Sequence, residues 1–231
     1  HRVDRRQRQM CIRDSITDFV LYVDLSDLPA AFWDSVANGG GDIRVFKDDD
    51  TTELAREIVF CETTGDTGEM HVKFTGTLSS SVDTVIHIYT DGASAEPAAT
   101  ATYGRDNVWS NYEYVYHHNS TTDSAGNTNL TASGGVTAGS ATGKLGNGTQ
   151  FDGTDDVYSI ADNDPAGSFV IQTWVNFDAY VSGQKQLIEK WSSSGSNRAV
   201  MLQKNESADT TDQRKLRGFF SSSGNFESGT A

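Results

Sequence analysis

Residues 144–175 read KLGNGTQFDGTDDVYSIADNDPAGSFVIQTWV. The stretch contains three candidate strands, at residues 149–151, 157–160 and 169–177. An acidic turn, DGTDD at residues 152–156, separates the first two. In the third strand, which follows a proline and a glycine, Phe169, Ile171, Thr173, Val175 and Phe177 fall on one face. Alternation bounded by such residues indicates half-buried β-strands, so the stretch predicts antiparallel β-structure. The aromatic side chains of Phe151, Phe169 and Trp174 are expected to lie in or near the core.

The composition of the chain agrees with a β-rich fold. Its 231 residues include 22 glycines and only 3 prolines, which suits many short strands joined by tight turns. The formal net charge is −14, and a surface this acidic repels phosphate groups. We therefore expect no nucleic-acid partner. No apolar run reaches the ~18 residues of a membrane-spanning helix, and we expect no membrane insertion.

Residues 16–91 contain further segments in which apolar and polar positions alternate. Residues 69–75, EMHVKFT, predict a strand with Met70 and Val72 facing inward and His71 facing outward. A short helix is expected over residues 28–36, between an early strand and a glycine-rich turn. This part of the chain is therefore expected to contain several strands and one short helix.

Five motifs are spread over residues 16–91. They are F-x-L-x-V-x-L from Phe19, G-x-D-I-R-V from Gly40, T-x-L-x-R-E-I from Thr52, G-E-M-H-V-K from Gly68 and S-S-S-x-D-T-x-I-x-I-Y from Ser79. In this order they resemble domain-of-unknown-function family 2341 (DUF2341), a β-sandwich module of bacterial and phage proteins. The resemblance implies a fold and a domain context, but no catalytic residues.

A second set of motifs follows a stretch of small residues at 92–102, the best candidate for a linker. The motifs are V-x-H from Val115, D-S-x-G-N from Asp123, G-x-x-x-x-F-D-G-x-D-D from Gly146 and S-F-x-I-x-x-W-V from Ser168. In this order they resemble the beginning of a laminin-G-like (concanavalin A-like) jellyroll. The resemblance implies a domain that binds glycans or proteins. Only three further strands are predicted, at residues 186–191, 198–204 and 215–220, so we expect this jellyroll to be incomplete.

The two resemblances predict an all-β chain with two antiparallel, jellyroll-like β-sandwich domains, the second C-terminally truncated. Residues 16–91 form the DUF2341-like sandwich, 92–111 the linker and 112–231 the incomplete jellyroll. Residues 1–15 contain five arginines and show neither helical nor strand periodicity. We expect them to be a non-native, disordered leader.

The acidic turn contains the metal-ligand candidates of this sequence. Asp152, Asp155 and Asp156 place three carboxylates within five residues, around Gly153. Calcium prefers about six to eight oxygen ligands, which clustered aspartates and turn carbonyls can supply. Alternatively, the same side chains accept hydrogen bonds from nearby backbone N–H groups and only shape the turn. Calcium is the only cofactor that we expect.

The histidines give a weaker metal signal. An aromatic strand is predicted at residues 112–118, where His117 and His118 are adjacent. Neighbouring residues of a strand point to opposite faces, so these two histidines could not share one ion. His71 and His87 lie in separate predicted strands. The sequence therefore predicts no zinc site.

No catalytic motif is present in the sequence. The paired carboxylates of jellyroll glycosidases, G-x-S-x-G, H-E-x-x-H and the P-loop are all absent. We therefore expect a protein that is not an enzyme: a recognition or adhesion fragment of a larger extracellular, cell-surface or virion protein. It would bind a glycan or a protein surface through the jellyroll. Two alternatives stay open, a structural spacer in an adhesin or phage tail and an accessory module of a carbohydrate-active enzyme.

Overall fold

The computed structural model describes residues 16–79, 81–161, 168–178, 185–191, 198–204 and 216–221. The expected leader, residues 1–15, lies outside the described residues. Of the described residues, 41% are in strands and 8% in helices. The described strand pairs are antiparallel. These observations confirm the all-β prediction.

The chain divides after Ile160 into two units. The described elements of the first unit are β1 (Ile16–Asp24), a 3-10 turn (Leu25–Asp27), α1 (Ala30–Trp33), a second 3-10 turn (Asn38–Gly40), β2 (Arg44–Lys47), β3 (Glu53–Leu54), β4 (Arg56–Glu62), β5 (Thr67–Leu78), β6 (Ile86–Tyr89), α2 (Arg105–Val108), β7 (Thr131–Ser133), β8 (Thr137–Thr142), β9 (Asn147–Gln150) and β10 (Val157–Ser159). Those of the second unit are β11 (Lys185–Trp191), β12 (Arg198–Lys204) and β13 (Leu216–Phe220).

Two three-stranded sheets of the first unit share one hydrophobic core. Their strand orders are β1-β5-β4 and β3-β2-β6. Val45 of β2 and Met70 and Val72 of β5 are all fully buried in this core. Trp33 of α1 packs there too, in a helix shorter than the predicted residues 28–36. Two-stranded sheets form from β7 with β10 and from β8 with β9, and the second unit contains the sheet β11-β12-β13.

The sheet β1-β5-β4 is covered on both faces. Met70 and Val72 face the core, as the alternation in β5 predicts. His71 faces the opposite side, as predicted, but it is only 7% exposed. A second hydrophobic cluster, which includes Val108 and Trp109, covers this outer face. The face that sequence alternation assigned to the outside is therefore buried under a later part of the chain.

Residues of the predicted linker, 92–111, pack against the first sheet. The buried guanidinium of Arg56 binds both carboxylate oxygens of Glu96, at 2.8 and 2.9 Å. The backbone N–H of Arg56 also donates to the carbonyl of Tyr103. The division after Ile160 therefore differs from the expected boundary near Tyr112. The assignment of the two segments to two families stays a prediction.

The expected strand at residues 112–118 is not a strand. The N–H of Val115 donates to the side chain of Asp123, and its carbonyl accepts from the N–H of Ser124. His118 has a φ of 62°, which ends any extended backbone. The backbone hydrogen bonds of this segment are therefore made to a loop, and the prediction is wrong.

The alternating segment at residues 169–177 is not a strand either. Trp174, predicted to lie in or near the core, is 69% exposed, and Phe169 is exposed as well. Among the described residues, none pairs with this segment as a neighbouring strand. Alternation gives a half-buried strand only where a partner strand and a covering layer are present. By contrast, β9, β10 and β13 lie close to their expected positions.

Candidate functional site

Five polar or aromatic side chains meet on the outer face of β4 and β5. We call Glu57, Glu69, His71, Trp109 and His117 the outer-face cluster. Glu57 lies directly across from His71 in the β4–β5 pairing, and the two-residue period of a strand puts Glu69 on the same face. Trp109 and His117 approach from the segment after α2. All but His117 are buried, and the side chain of His117 is 15% exposed.

The carboxylate of Glu57 holds this later segment on the sheet. Its Oε2 atom is 2.5 Å from the indole nitrogen of Trp109 and 3.0 Å from Nε2 of His117. Its Oε1 atom accepts a hydrogen bond of 2.5 Å from the hydroxyl of Ser124. Both oxygens are therefore engaged by residues 109–124. Burial opposes ionisation of Glu57, but hydrogen bonds from His117, Ser124 and Trp109 outweigh it and hold the pKa below its usual value.

Asp123 shapes the loop that carries His117 and Ser124. Its side chain is 0% exposed. Its two oxygens accept hydrogen bonds of 2.9–3.0 Å from the backbone N–H groups of Val115, Ala125, Asn127 and Thr128. Four backbone donors converging on one carboxylate fix the loop around it. The D-S-x-G-N motif thus fixes the loop, and its Ser124 joins Trp109 and His117 in contacting Glu57 on β4.

Glu69, His71 and His117 come within metal-ligand distance of one another. Oε1 of Glu69 is 2.9 Å from Nε2 of His71 and 3.9 Å from Nδ1 of His117. The two imidazole rings stack with centroids 5.0 Å apart. One ligand atom from each of the three residues lies within 4.8 Å of the others. The sequence placed these histidines in unrelated elements, and no local signal connects positions 71 and 117.

His118 points away from this cluster. Its ring stacks on that of Tyr158, with centroids 5.8 Å apart. His117 and His118 therefore lie in different surroundings, although not for the reason expected, since this segment is not a strand. His87, on β6, is paired with Asp50 and is more exposed.

The acidic turn brings its three predicted carboxylates together. Ligand oxygens of Asp152, Asp155 and Asp156 lie within 4.8 Å of one another. Asp152 accepts a 2.7 Å hydrogen bond from the N–H of Thr154, and this bond lowers the pKa of Asp152. Asp156 accepts from the N–H of Asp152 at 2.9 Å. These bonds are those expected of turn residues, and the calcium prediction stays open.

An aromatic pair lies beside the acidic turn. The ring of Phe151, predicted to be in the core, is 45% exposed. Its centroid is 5.5 Å from that of Tyr158, and the two rings meet edge to face. The prediction of a buried Phe151 is therefore wrong. Phe151 directly precedes Asp152 in the chain, and Asp152 and Asp155 are exposed as well.

Comparisons of the chain with protein-family models, curated proteins and solved structures find no match. The resemblances to DUF2341 and to laminin-G-like domains therefore stay predictions, which depend on the motifs themselves. None of the helices in the described residues is long and apolar enough to cross a membrane.

Proposed function

We propose that the chain is a non-catalytic recognition fragment of a larger extracellular, cell-surface or virion protein, and that it binds a glycan or a protein surface. The observation that carries the proposal is the exposed ring of Phe151 beside the carboxylates of Asp152, Asp155 and Asp156. The site belongs to the part of the chain that resembles a laminin-G-like jellyroll. In this proposal the two three-stranded sheets that share a core are the layers of the DUF2341-like sandwich.

The chemistry of this surface suits a sugar ring. An exposed aromatic face provides apolar contact area of fixed orientation, here held by Tyr158. Carboxylate oxygens beside it accept hydrogen bonds from hydroxyl groups, which form strong bonds to a charged acceptor. A calcium ion at the same carboxylates would add a ligand position for sugar hydroxyls. Glycan binding is therefore the first function to test.

The outer-face cluster supports the non-catalytic part of the proposal. A general base or nucleophile needs a free oxygen within reach of a substrate. Both oxygens of Glu57 are engaged inside the protein, and the side chain is 5% exposed. Its chemistry is that of a structural anchor.

Binding can be measured on a glycan array and then by calorimetry, with and without calcium. We expect Phe151→Ala to weaken binding of the selected glycan by about tenfold, because losing one stacked ring removes roughly 1–1.5 kcal/mol. Tyr89→Ala is the matched control, since Tyr89 is an exposed aromatic residue on β6. Equal effects of the two substitutions would contradict a site at Phe151.

Calcium binding is tested by thermal unfolding. If the turn holds calcium, millimolar calcium raises the melting temperature, since a ligand of the folded state stabilises it by mass action. Asp155→Ala and Asp156→Ala should each abolish that shift, whereas Asp49→Ala, in another acidic turn, should not. No shift would mean that these aspartates only shape the turn. An array without signal in either condition would favour the spacer over the recognition fragment.

A further inference from the structure

We infer that the outer-face cluster binds one divalent transition-metal ion, with zinc the best fit, through Glu69, His71 and His117. The site lies on β5 and the following docked loop. It is separate from the acidic turn and does not depend on glycan binding. Its role is structural, because the ion would connect the sheet to the segment that covers it.

The distances between the ligand atoms suit a zinc ion. Zinc binds nitrogen and oxygen at about 2.0–2.2 Å, so neighbouring ligands of a tetrahedron are about 3.3–3.6 Å apart. Glu69 Oε1 is 2.9 Å from Nε2 of His71, below this range, and 3.9 Å from Nδ1 of His117, above it. Small side-chain rotations would therefore bring the three atoms around one ion. Three protein ligands leave one position for water.

The tautomer of His117 places a lone pair at the site. Both oxygens of Glu57 already act as acceptors, one for the indole N–H of Trp109 and the other for the hydroxyl of Ser124. Nε2 of His117 must therefore donate to it. In the neutral ring, the lone pair is then on Nδ1, the atom that faces Glu69. A carboxylate that orients the far nitrogen of a histidine is the usual outer support of a metal ligand.

Charge balance also favours a cation. Glu57 and Glu69 are both buried, and buried carboxylates need a positive partner or a metal ion. In the part of the chain that the structure describes, their ion pairs are with histidine and none is with lysine or arginine. A divalent ion would supply both missing charges. The mixed nitrogen and oxygen ligands favour zinc over calcium, which prefers oxygen alone.

Gly146 lies beside Oε2, the other carboxylate oxygen of Glu69. A Cβ atom at this position would lie 2.6 Å from Glu69 Oε2 and 3.0 Å from the ring of Phe60. The glycine therefore lets the β8–β9 turn approach the carboxylate closely. Because Gly146 begins the G-x-x-x-x-F-D-G-x-D-D motif, residues from four of the motifs meet at this cluster.

The decisive experiment uses the unaltered full chain. After removal of metals with EDTA, Zn²⁺ is added at pH 7.5 and followed by calorimetry and by ¹⁵N spectra of the imidazole rings. We expect one Zn²⁺ per chain, with shifts of the His71 Nε2 and His117 Nδ1 resonances and unchanged His87 and His118. Absence of zinc binding, or shifts at His87 or His118 instead, would overturn the proposal.

Substitutions then separate ligands from their surroundings. His117→Ala should weaken zinc binding by more than tenfold, and Glu57→Gln by about 10–100-fold, since Glu57 only orients His117. His87→Ala and Asp155→Ala should leave the affinity unchanged, because they lie outside the cluster. A loss of affinity in either control equal to that of His117→Ala would refute the site. The spectra of the unaltered chain decide the question even if His117→Ala does not fold.

Discussion

Replacing Glu57 with glutamine tests whether one buried carboxylate holds residues 109–124 on the sheet. Three donors reach this side chain, from Trp109, His117 and Ser124. Hydrogen bonds to a charged group contribute about 1.5–3 kcal/mol each, and those between neutral groups about 0.5–1.5. Glutamine keeps the shape of the side chain but loses about 1 kcal/mol per bond. We expect the free energy of unfolding in metal-free buffer to fall by about 2–4 kcal/mol.

The pH dependence of this loss follows from the pKa of Glu57, which is lower in the folded protein than in the unfolded chain. The stabilisation by Glu57 is therefore fully present above the unfolded pKa of about 4.3 and is lost as the pH falls through the folded pKa. The difference between the unaltered protein and Glu57→Gln should be constant from pH 7 to about pH 5 and should shrink below about pH 4.

Urea unfolding followed by tryptophan fluorescence measures the difference, because Trp109 is itself a partner of Glu57. Glu62→Gln is the matched control: it is the same substitution on the same strand, at an exposed position. Its effect should stay within about 0.5 kcal/mol, as for most surface changes. If the two variants lose the same stability, Glu57 is not a buried anchor and the reasoning fails.

Two further predictions concern other parts of the first unit. Arg56→Lys should reduce the free energy of unfolding by about 3 kcal/mol in urea titrations. The reason is that lysine cannot donate to two backbone carbonyls and to Glu96 at once. A loss below about 0.5 kcal/mol would show that these guanidinium hydrogen bonds do not stabilise the fold. Gly134→Ala and Gly39→Ala both add a side chain at positive φ. A Cβ atom at Gly134 would lie 2.1 Å from the carbonyl oxygen of Asp155, whereas a Cβ atom at Gly39 would contact nothing. Gly39→Ala should cost about 1–2 kcal/mol of strain and Gly134→Ala clearly more, as compared by thermal unfolding; equal losses would contradict that contact.

Local patterns in the sequence predicted those elements whose partners are also in the structure. The alternation of Met70, His71 and Val72 gave both the strand β5 and its two faces, because the strand lies between β1 and β4. The same kind of pattern failed at residues 169–177, where no described strand lies alongside. Periodicity reports which side of a strand would be buried. It does not report whether a neighbour is present to bury it.

The candidate sites divide in the same way. Asp152, Asp155 and Asp156 are close in sequence, so their meeting in a turn could be predicted from the chain alone. The contact of His71 with His117 depends on how a loop docks on a sheet, which no local pattern contains. The wrong strand prediction at 112–118 made the contact between His71 and His117 still harder to predict. Its aromatic residues suggested a strand, whereas the converging N–H groups at Asp123 make this region a loop.

The cover on the outer face of β5 also has a consequence for synthesis on the ribosome. The sheet β1-β5-β4 has all its strands once Leu78 has been added, but Trp109, His117 and Ser124 follow roughly 2–9 s later at usual elongation rates. During this interval Glu57 lacks Trp109, His117 and Ser124, Glu69 has His71 but lacks His117, and a strip of the sheet is open to solvent. The nascent chain is therefore exposed to chaperones and to wrong pairing until the D-S-x-G-N loop emerges. Rare codons between positions 78 and 124 would lengthen that interval and lower the yield of folded protein.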